Sequence, residues 1–435
     1  MGNAELFAST YAKELKYCPQ LGKWMHRDGT HWSVDSRNKV TALAMELALM
    51  RLEQWQKADS NLSDLPKVNR LLQARGIKNM LELAKSVPQL VTDASQLDSD
   101  PWLLATPSEL FDLRANRTVD DSRSAICTRT AAASVVHDAP CERWMQFIDV
   151  LTNGDSELAE FLQRAVGYSL TGDTREQCLF FLYGVGCNGK STFISTLEKL
   201  FGSYAVRTPA KTLLDQRTDG IPNDLARLRG ARFVVASEIP QGSRLNEARI
   251  KDLTGGDTVA ARFLHKEFFD YRPNFKLWMY GNHLPQVNGS DLGIWRRFRC
   301  IPCDAVISSD RRDSQLLDKL SEELSGILNW ALEGCLKWQE GGIGTAEAVE
   351  RANSEYRQEM DHIERFLAQA TVRSPGETVQ ASNLYEAYRT WCGEAGRSAI
   401  SMTLFGRYLS GRDYPKKTKR NGRRHYEDIC VRGQD

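Results

Sequence analysis

The stretch Gly184-Val-Gly-Cys-Asn-Gly-Lys-Ser191 decides the fold of this chain. It matches the pattern G-x-x-x-x-G-K-[S/T] at every fixed position, with an apolar run before it (Cys178–Tyr183) and a helical pattern after it (Phe193–Leu200). Glycines let backbone amides turn inward around phosphates, and the amino end of the following helix adds a positive partial charge. The sequence therefore predicts a phosphate-binding loop between a strand and a helix. The predicted nucleotide-binding residues are Gly184, Val185, Gly186, Cys187, Asn188, Gly189, Lys190, Ser191 and Thr192.

Two residues of this loop carry the chemistry of nucleotide hydrolysis. Lys190 would neutralise the β- and γ-phosphates, and the hydroxyl of Ser191 would help to hold Mg²⁺. Guanine nucleotides are disfavoured, because the chain's only Asn-Lys pair, Asn38-Lys39, lies far from the loop and lacks the Asp of N-K-x-D. We therefore expect ATP and Mg²⁺ as cofactors.

The middle of the chain alternates short apolar runs with helical patterns. Besides Cys178–Tyr183, the runs Arg232–Ala236 and Phe275–Tyr280 are typical of strands buried in a parallel sheet. Each is followed by a polar or glycine-containing loop. This alternation predicts an α/β domain with functional residues at the carboxyl ends of the strands.

The composition bounds the remaining classes. The chain has 435 residues, with 57 Lys and Arg against 56 Asp and Glu, which excludes a uniformly basic DNA coat but not a local basic patch. No apolar run of transmembrane length is present, so we expect no membrane association. The 10 cysteines are scattered, which favours reduced thiols in a cytosol. Cys300 and Cys303 form a close pair that we expect to pack in a strand rather than bind metal.

The segment before the phosphate-binding loop predicts a mixed α+β domain over residues 1–135. Trp24 and Trp32 flank an Asp28-Gly29 turn, which is typical of a short hairpin. Helical patterns follow over Val40–Lys57 and Val68–Lys85. A leading helical segment then opens the ATPase core, which we place at residues 136–345.

The last part, residues 346–435, predicts a winged helix. Three short helices over Asp361–Ala370, Ala381–Ala395 and Ser401–Ser410 precede two β-like segments around Asn421-Gly422. From Gly406 onward there are nine Lys or Arg residues against four Asp or Glu residues. This basic charge favours contact with duplex phosphates, although a solvated tail or a protein-binding role would also fit. The predicted contact residues, called the basic wing residues below, are Lys416, Lys417, Lys419 and Arg420.

Residues downstream of the loop carry a family resemblance. They are Ser237-Glu238 after the second apolar run, the segment Lys251–Asp257, the Gly281–Pro285 stretch after the third run, and the GIWRRFR segment. With these the sequence resembles superfamily 3 helicases of phage and plasmid primase–helicases and the related poxvirus primase–helicase. The resemblance covers nearly the whole chain and implies an AAA+-like P-loop NTPase core. No primase-polymerase domain is expected within these 435 residues, so the chain would be a stand-alone helicase or the helicase part of something longer.

The resemblance implies roles at the nucleotide site. Glu238 would be the Walker B carboxylate that holds Mg²⁺ together with Ser191, with Ser237 where many members have a second acid. Asn282 would sense the γ-phosphate, and one of Arg296 and Arg297, preferably Arg297, would complete a neighbouring subunit's ATP site. The alternatives are a surface acid at Glu238, a turn residue at Asn282, and an ion-pair role for either arginine.

The resemblance also implies how DNA is held. Lys251 would lie in the motif peculiar to the superfamily, and the hairpin after it would carry Arg262, His265 and Lys266 into a central channel, unless these belong to a solvated face. The implied function is an ATP-dependent DNA helicase: a homo-hexameric ring on single-stranded and forked DNA, in the cytoplasm of a bacterial host carrying a phage, plasmid or prophage. A primase or replication-initiation protein would be its partner. The alternatives are a DNA-dependent ATPase that loads or remodels protein, and a nucleotide-gated origin-binding protein.

Overall fold

The computed structural model describes most of the chain. The described residues are 2–57, 65–119, 125–184, 186, 188–215, 223–237, 239, 243–262, 268–287, 292–305, 307, 312–360, 362–397, 399–410, 416–418 and 424–432.

The N-terminal part packs helices around a small antiparallel sheet of order β1-β2-β3. Its elements are α1 (Asn3–Tyr11), β1 (Leu15–Cys18), β2 (Lys23–Asp28), β3 (His31–Val34), α2 (Lys39–Lys57), α3 (Leu65–Leu72) and α4 (Ala74–Ala84). The predicted hairpin is confirmed, with Asp28 paired to His31. The single helix predicted over Val68–Lys85 is wrong: the backbone is extended at Gln73, and two helices result. The break lets Leu71 and Ile77 both enter the core formed with α1 and α2.

A second small antiparallel sheet joins this part to the centre. It consists of β4 (Leu103–Ala105), β5 (Leu110–Asp112) and β6 (Arg117–Thr118). Trp102, Leu104 and Phe111 belong to the same buried cluster as Phe180 of the central sheet. One continuous core therefore crosses the predicted boundary between residues 135 and 136.

The central part is a parallel sheet with helices on both faces. Its elements are α5 (Glu142–Leu151), α6 (Ser156–Leu170), β7 (Leu179–Tyr183), α7 (Lys190–Phe201), β8 (Ala205–Pro209), α8 (Asn223–Ala226), β9 (Phe233–Ser237), α9 (Glu247–Gly255), β10 (Val259–Ala261), β11 (Phe269–Tyr271), β12 (Lys276–Gly281), α10 (Leu292–Trp295), β13 (Phe298–Pro302), α11 (Leu316–Glu322) and α12 (Leu324–Gly341). Five strands form the sheet in the order β13-β7-β12-β9-β8, and every neighbouring pair is parallel. Strands β10 and β11 form a separate antiparallel hairpin.

The predicted apolar runs form β7, β9 and β12. Successive side chains along each strand point to opposite faces of the sheet and fill both. Phe180 and Leu182 lie in the cluster shared with α6, α7 and α12, whereas Leu179 and Phe181 lie in the cluster shared with α9. Burial of one such side chain contributes about 1.5–3 kcal/mol, so packing on both faces stabilises the sheet.

The C-terminal part is a smaller unit with its own core. Its elements are α14 (His362–Ala370), β14 (Thr371–Gln380), α15 (Ala381–Glu394), α16 (Met402–Ser410), β15 (Lys416–Thr418) and β16 (Arg424–Val431). The helix before it, α13 (Glu347–Met360), packs on the central part, where Val349 and Tyr356 join the two clusters that flank the sheet. The three predicted helices are confirmed as α14, α15 and α16. An antiparallel sheet of order β14-β16-β15 covers them, and the predicted Asn421-Gly422 turn lies outside the described residues. Strand β14 was not predicted, because its sequence contains Pro375-Gly376 and the pairing with β16 is interrupted between Arg373 and Thr378.

In the part of the chain that the structure describes, no helix has both the length and the apolar character needed to cross a membrane.

Candidate active site

The ends of three neighbouring strands meet at the carboxyl edge of the central sheet. Strand β12 lies between β7 and β9, with Gly281 paired to Tyr183 on one side and Tyr280 paired to Ser237 on the other. The phosphate-loop motif follows β7 directly, and Asn282, whose side chain is exposed, follows β12. Glu238 comes directly after β9 in the sequence and lies outside the described residues. The fold therefore brings the motif and the predicted sensor position to adjacent strand ends.

Two glycines of the motif occupy positions that exclude a side chain. A Cβ atom on Gly184 would lie 2.2 Å from the carbonyl oxygen of Cys303 and 2.6 Å from Nδ2 of Asn188. Gly189 caps the amino end of α7 with a φ of 86°, in the left-handed region that favours glycine. The backbone therefore packs closely at both ends of the loop, as a phosphate cradle requires.

Lys190 is the first residue of α7 and points back into the loop. Its side chain is only 5% exposed, and its Nζ donates hydrogen bonds to the Gly184 carbonyl and to Oδ1 of Asn188, both at 2.7 Å. Ser191 is exposed and Thr192 half-buried in the first turn of the same helix. A buried ammonium beside exposed hydroxyl and helix-terminal groups suits an anionic ligand.

Asn188 connects the loop to the neighbouring strand. Its side chain is buried, accepts a hydrogen bond from Lys190, and donates from Nδ2 to the Cys303 carbonyl at 2.5 Å. Sequence reasoning placed Asn188 among the nucleotide-binding residues but missed this bridge, because Cys303 is distant in sequence and no local pattern predicts the contact. Val185 and Cys187, on either side of Gly186, lie outside the described residues.

The cysteine pair packs as expected. Cys300 lies within β13 and Cys303 just after it, and both are buried. Burial raises the pKa of the Cys303 thiol to about 12, although the charge of Lys190 acts in the opposite direction. Both residues are therefore thiols at neutral pH, and Cys303 serves the site through its backbone carbonyl.

A magnesium ion would find few protein ligands in the described part of the site. No three His, Cys, Asp or Glu side chains cluster as metal ligands among the described residues. Mg²⁺ usually takes one or two carboxylates together with substrate phosphates and water. The exposed hydroxyl of Ser191 at the start of α7 fits such a site.

Arg296 and Arg297 lie at the opposite, amino edge of the sheet. The backbone carbonyl of Arg297 accepts a hydrogen bond from the amide of Leu179, the first residue of β7. Arg297 is only 7% exposed, and its guanidinium donates to Thr254 Oγ1 at 3.0 Å and to the Gly293 carbonyl at 2.6 Å. Arg296 is exposed, and its Nη2 donates to Oε1 of Gln177 at 2.8 Å. The two arginines therefore have different surroundings, which their sequence does not distinguish.

A hairpin, β10 and β11, lies directly after α9, where the sequence predicts the DNA-binding hairpin. Arg262 follows β10 and Phe268 precedes β11, with the guanidinium carbon 4.8 Å from the ring centre. Phe268 is 55% exposed. His265 and Lys266 lie between them, outside the described residues, and Lys251 is half-buried on α9. A cation and an aromatic ring thus flank the predicted tip.

The basic wing residues are only partly described. Lys416 and Lys417 belong to β15, where their backbones pair with Tyr426 and His425 of β16. Their side chains, together with Lys419 and Arg420, lie outside the described residues.

Two family models match separate parts of the chain. The model of a family described as "D5 N terminal like" matches residues 4–153, and that of a family of unknown function, DUF5906, matches residues 182–297. The chain is similar to the Acanthamoeba polyphaga mimivirus protein named "Putative helicase L207/L206", with 25% identity over 81% of this chain and 40% of that protein. It is also similar to the fowlpox virus protein named "Primase D5", with 23% identity over 52% of this chain and 30% of that protein. The chain thus spans less than half the length of these curated relatives.

A solved structure shares the overall fold. The apo structure of the NrS-1 C-terminal region aligns with 98% of this chain and 99% of its own, with a TM-score of 0.52 at 10% sequence identity. This likeness agrees with a mixed α/β fold built on a parallel sheet. The relatives are viral, so the bacterial host stays a prediction. The two matched family models and the relatives named as helicase and primase support this chain as a member of the poxvirus D5-like primase–helicase family.

Proposed function

We propose that this chain is an ATP-dependent DNA helicase of superfamily 3, with a P-loop NTPase core and a C-terminal winged helix. The observation that carries the proposal is the buried Lys190, whose ammonium points into the backbone loop between a central parallel strand and its helix. Relatives named as helicase and primase support a role in DNA replication.

The site residues divide the chemistry of hydrolysis among them. ATP phosphates would replace the Gly184 carbonyl and Asn188 as partners of Lys190. Ser191 and Glu238 would hold Mg²⁺, which neutralises charge that develops on the phosphates. Asn282, at the end of the strand between those of Gly184 and Glu238, is suited to bond the γ-phosphate or the attacking water.

The amino edge of the sheet, where Arg296 and Arg297 lie, is called the arginine edge below. Its position supports hydrolysis between subunits. Arg296 precedes β13, a strand of five residues whose far end pairs with Tyr183 beside the phosphate loop. At about 3.3 Å per residue, roughly 16 Å separates Arg296 from its own loop, which no arginine side chain spans. A catalytic arginine at this edge must serve a neighbouring subunit, and the proposed closed hexamer would supply one to every site.

Arg296 rather than Arg297 suits this trans role. Arg297 is buried and bonded to α9 and α10 of its own chain, so removing it from these partners would leave buried groups unpaired. Arg296 is exposed, and its guanidinium bonds to Gln177 through one nitrogen. The sequence favours Arg297 for this role, but the structure favours Arg296. We therefore propose Arg296 as the arginine finger, the residue that completes the neighbouring subunit's ATP site.

DNA contact is proposed at two places. Inside the ring, the hairpin with Arg262, His265 and Lys266 would grip one strand through phosphates, with Lys251 at its base. The order α14-β14-α15-α16-β15-β16 supports the proposed winged helix, and the basic wing residues would lie along duplex phosphates. Phosphate contacts carry little sequence information, which suits a translocating motor.

A forked-duplex strand-displacement assay tests the function. Wild-type protein should displace a strand only with hydrolysable ATP, and Lys190→Ala should abolish both hydrolysis and displacement. Lys199→Ala is the matched control, because Lys199 lies on the same helix but pairs at the surface with Asp318. DNA-stimulated hydrolysis without displacement would favour the loader or remodeller, and negligible hydrolysis would favour the nucleotide-gated origin-binding protein.

A further inference from the structure

Gln177 occupies the junction between the arginine edge and the hairpin. It lies between α6 and β7, with a φ of 48°, and its amide donates to the Thr174 carbonyl at 3.0 Å. Its side-chain amide contacts two other segments. Oε1 accepts from Nη2 of Arg296 at 2.8 Å, and Nε2 donates to the Gly255 carbonyl at 3.2 Å. One planar group therefore connects Arg296 to the carboxyl end of α9.

The carboxyl end of α9 is also the base of the hairpin. Gly255 is the last residue of α9, Gly256 ends the helix in the left-handed region at φ 81°, and β10 begins at Val259. A displacement of the last turn of α9 is thus passed to β10 through a connection of three residues, Gly256 to Thr258. The hydrogen bond from Gln177 acts directly on this last turn.

The two arginines hold that turn in different ways. Arg297 donates to Thr254 Oγ1, and the Thr254 hydroxyl donates to the Ile250 carbonyl at 2.6 Å, all in a buried setting. A cation at a helix carboxyl end is also favoured by the helix dipole. Arg296 reaches the same turn through Gln177 and in an exposed setting. The Arg297 contact therefore anchors α9, while the Arg296–Gln177 contact is the one that can change at low cost.

We propose that Gln177 is a positioning residue that couples the Arg296 finger to the DNA hairpin through its side-chain amide. This rests on the proposed function, in which Arg296 completes a neighbour's ATP site and the hairpin grips DNA. When Arg296 turns toward the neighbouring phosphates, it withdraws from Oε1, and the Gln177 contact with Gly255 changes with it. In the reverse direction, DNA held by the hairpin fixes α9 and, through Gln177, the orientation of Arg296. The coupling predicts that DNA stimulates hydrolysis through this amide.

Two substitutions at Gln177 separate the two contacts. Gln177→Ala removes both, and should lower kcat without DNA by up to about 10²-fold, as a misplaced catalytic group does, and abolish the stimulation by DNA. Gln177→Glu keeps an acceptor for Arg296 but loses the donor to Gly255. It should retain more of the DNA-free kcat than Gln177→Ala, yet respond to DNA as weakly. The KM for ATP should change less than twofold in both, because the phosphate loop lies at the opposite edge of the sheet.

Three controls separate an effect on coupling from a general effect on the fold or on hydrolysis. Both variants retain a Cβ at the left-handed position, so they add no backbone strain beyond that of Gln177. Gln146→Ala, on an exposed position of α5, should behave as wild type. In the Arg296→Ala background, Gln177→Ala should cause no further loss of kcat.

The outcomes distinguish the coupling from the function beneath it. A wild-type protein with DNA-stimulated hydrolysis, together with a Gln177→Ala protein stimulated within twofold of it, would overturn the coupling alone. Equal DNA stimulation of Gln177→Glu and wild type would do the same. A wild-type protein with no DNA-stimulated hydrolysis would overturn both proposals, and additive losses in the Arg296→Ala background would assign Gln177 a separate structural role.

Discussion

Arg296 and Arg297 are adjacent, yet their replacement by alanine should have opposite consequences. Arg297→Ala should destabilise the fold, whereas Arg296→Ala should leave the fold intact and remove hydrolysis. The contrast follows from burial: Arg297 is 7% exposed and bonded to Thr254 and Gly293, whereas Arg296 is exposed and bonded to Gln177.

The magnitudes follow from these hydrogen bonds. A hydrogen bond that involves a charged group contributes about 1.5–3 kcal/mol, and Arg297→Ala removes at least those to Thr254 and Gly293. We expect the free energy of unfolding to fall by about 3–5 kcal/mol, near the upper range for single substitutions. The exposed contact of Arg296 contributes about 0–1 kcal/mol. Its loss as a trans finger should lower kcat about 10³-fold or more.

The measurements are urea denaturation and steady-state ATP hydrolysis, with Arg297→Lys as a control that keeps the charge but not the paired geometry. Mixing Arg296→Ala with Lys190→Ala subunits should restore part of the hydrolysis, since some interfaces then combine an intact loop with an intact finger. The assigned roles are refuted if Arg297→Ala destabilises by less than about 1 kcal/mol, if Arg296→Ala hydrolyses ATP within tenfold of wild type, or if no mixing ratio restores activity.

Three further predictions concern other parts of the chain. Asn188→Ala leaves the Cys303 carbonyl without its donor, so the free energy of unfolding should fall by about 1–3 kcal/mol. ATP should bind about tenfold more weakly in a fluorescent-nucleotide titration, a change of about 1.4 kcal/mol, and unaltered binding would show that the Asn188 bridge does not support the site. Burial holds the pKa of Lys276 well below its usual value, so Lys276 binds a proton more readily in the unfolded chain, and the free energy of unfolding should rise with pH up to about 10.4. Lys276→Met should flatten that rise in denaturation experiments at several pH values, and an unaltered slope would assign the pH dependence to other groups. Neutralising the basic wing residues should weaken duplex binding and reduce its salt slope by roughly 0.9 for each phosphate that the wing no longer neutralises; an unchanged slope would leave the wing without that role.

The sequence predicts those parts of the fold that rest on local patterns. Strands β7, β9 and β12 are continuous apolar runs, because both of their faces are buried. The edge strand β8 has no such run, since Arg207 points to a surface ion pair with Glu198, and it was not predicted. The division of one predicted helix into α3 and α4 was also missed, although Gly76 lies at the fold-back, where a Cβ atom would lie 2.1 Å from the Arg70 carbonyl oxygen.

The candidate site shows the same limit. The order of glycines and lysine in the phosphate loop is a local pattern, so its residues could be named from the sequence. The burial of Arg297, the bridge from Asn188 to Cys303 and the position of Gln177 depend on contacts between segments distant in the chain. An arginine pair in sequence gives no signal of which member is buried, and a lone glutamine before a strand gives none of a bridge.

The two ends of the β10–β11 hairpin are attached to the rest of the protein in different ways, and this determines where a contact such as that of Gln177 can affect the hairpin. Its second strand leads from Tyr271 into β12, which is paired on both sides within the sheet, and Tyr271 is itself buried with its hydroxyl bonded to the Leu225 carbonyl at 2.8 Å. Its first strand follows the end of α9, which is held in place by side-chain hydrogen bonds from Gln177 and Arg297. A strand paired on both sides opens less readily than a helix end held by side chains. We therefore expect movement of the hairpin relative to the sheet to arise at the α9 end, where Gln177 lies. Substitutions at the β11–β12 junction should accordingly change the stability of the fold, and substitutions at the end of α9 should change how hydrolysis responds to DNA.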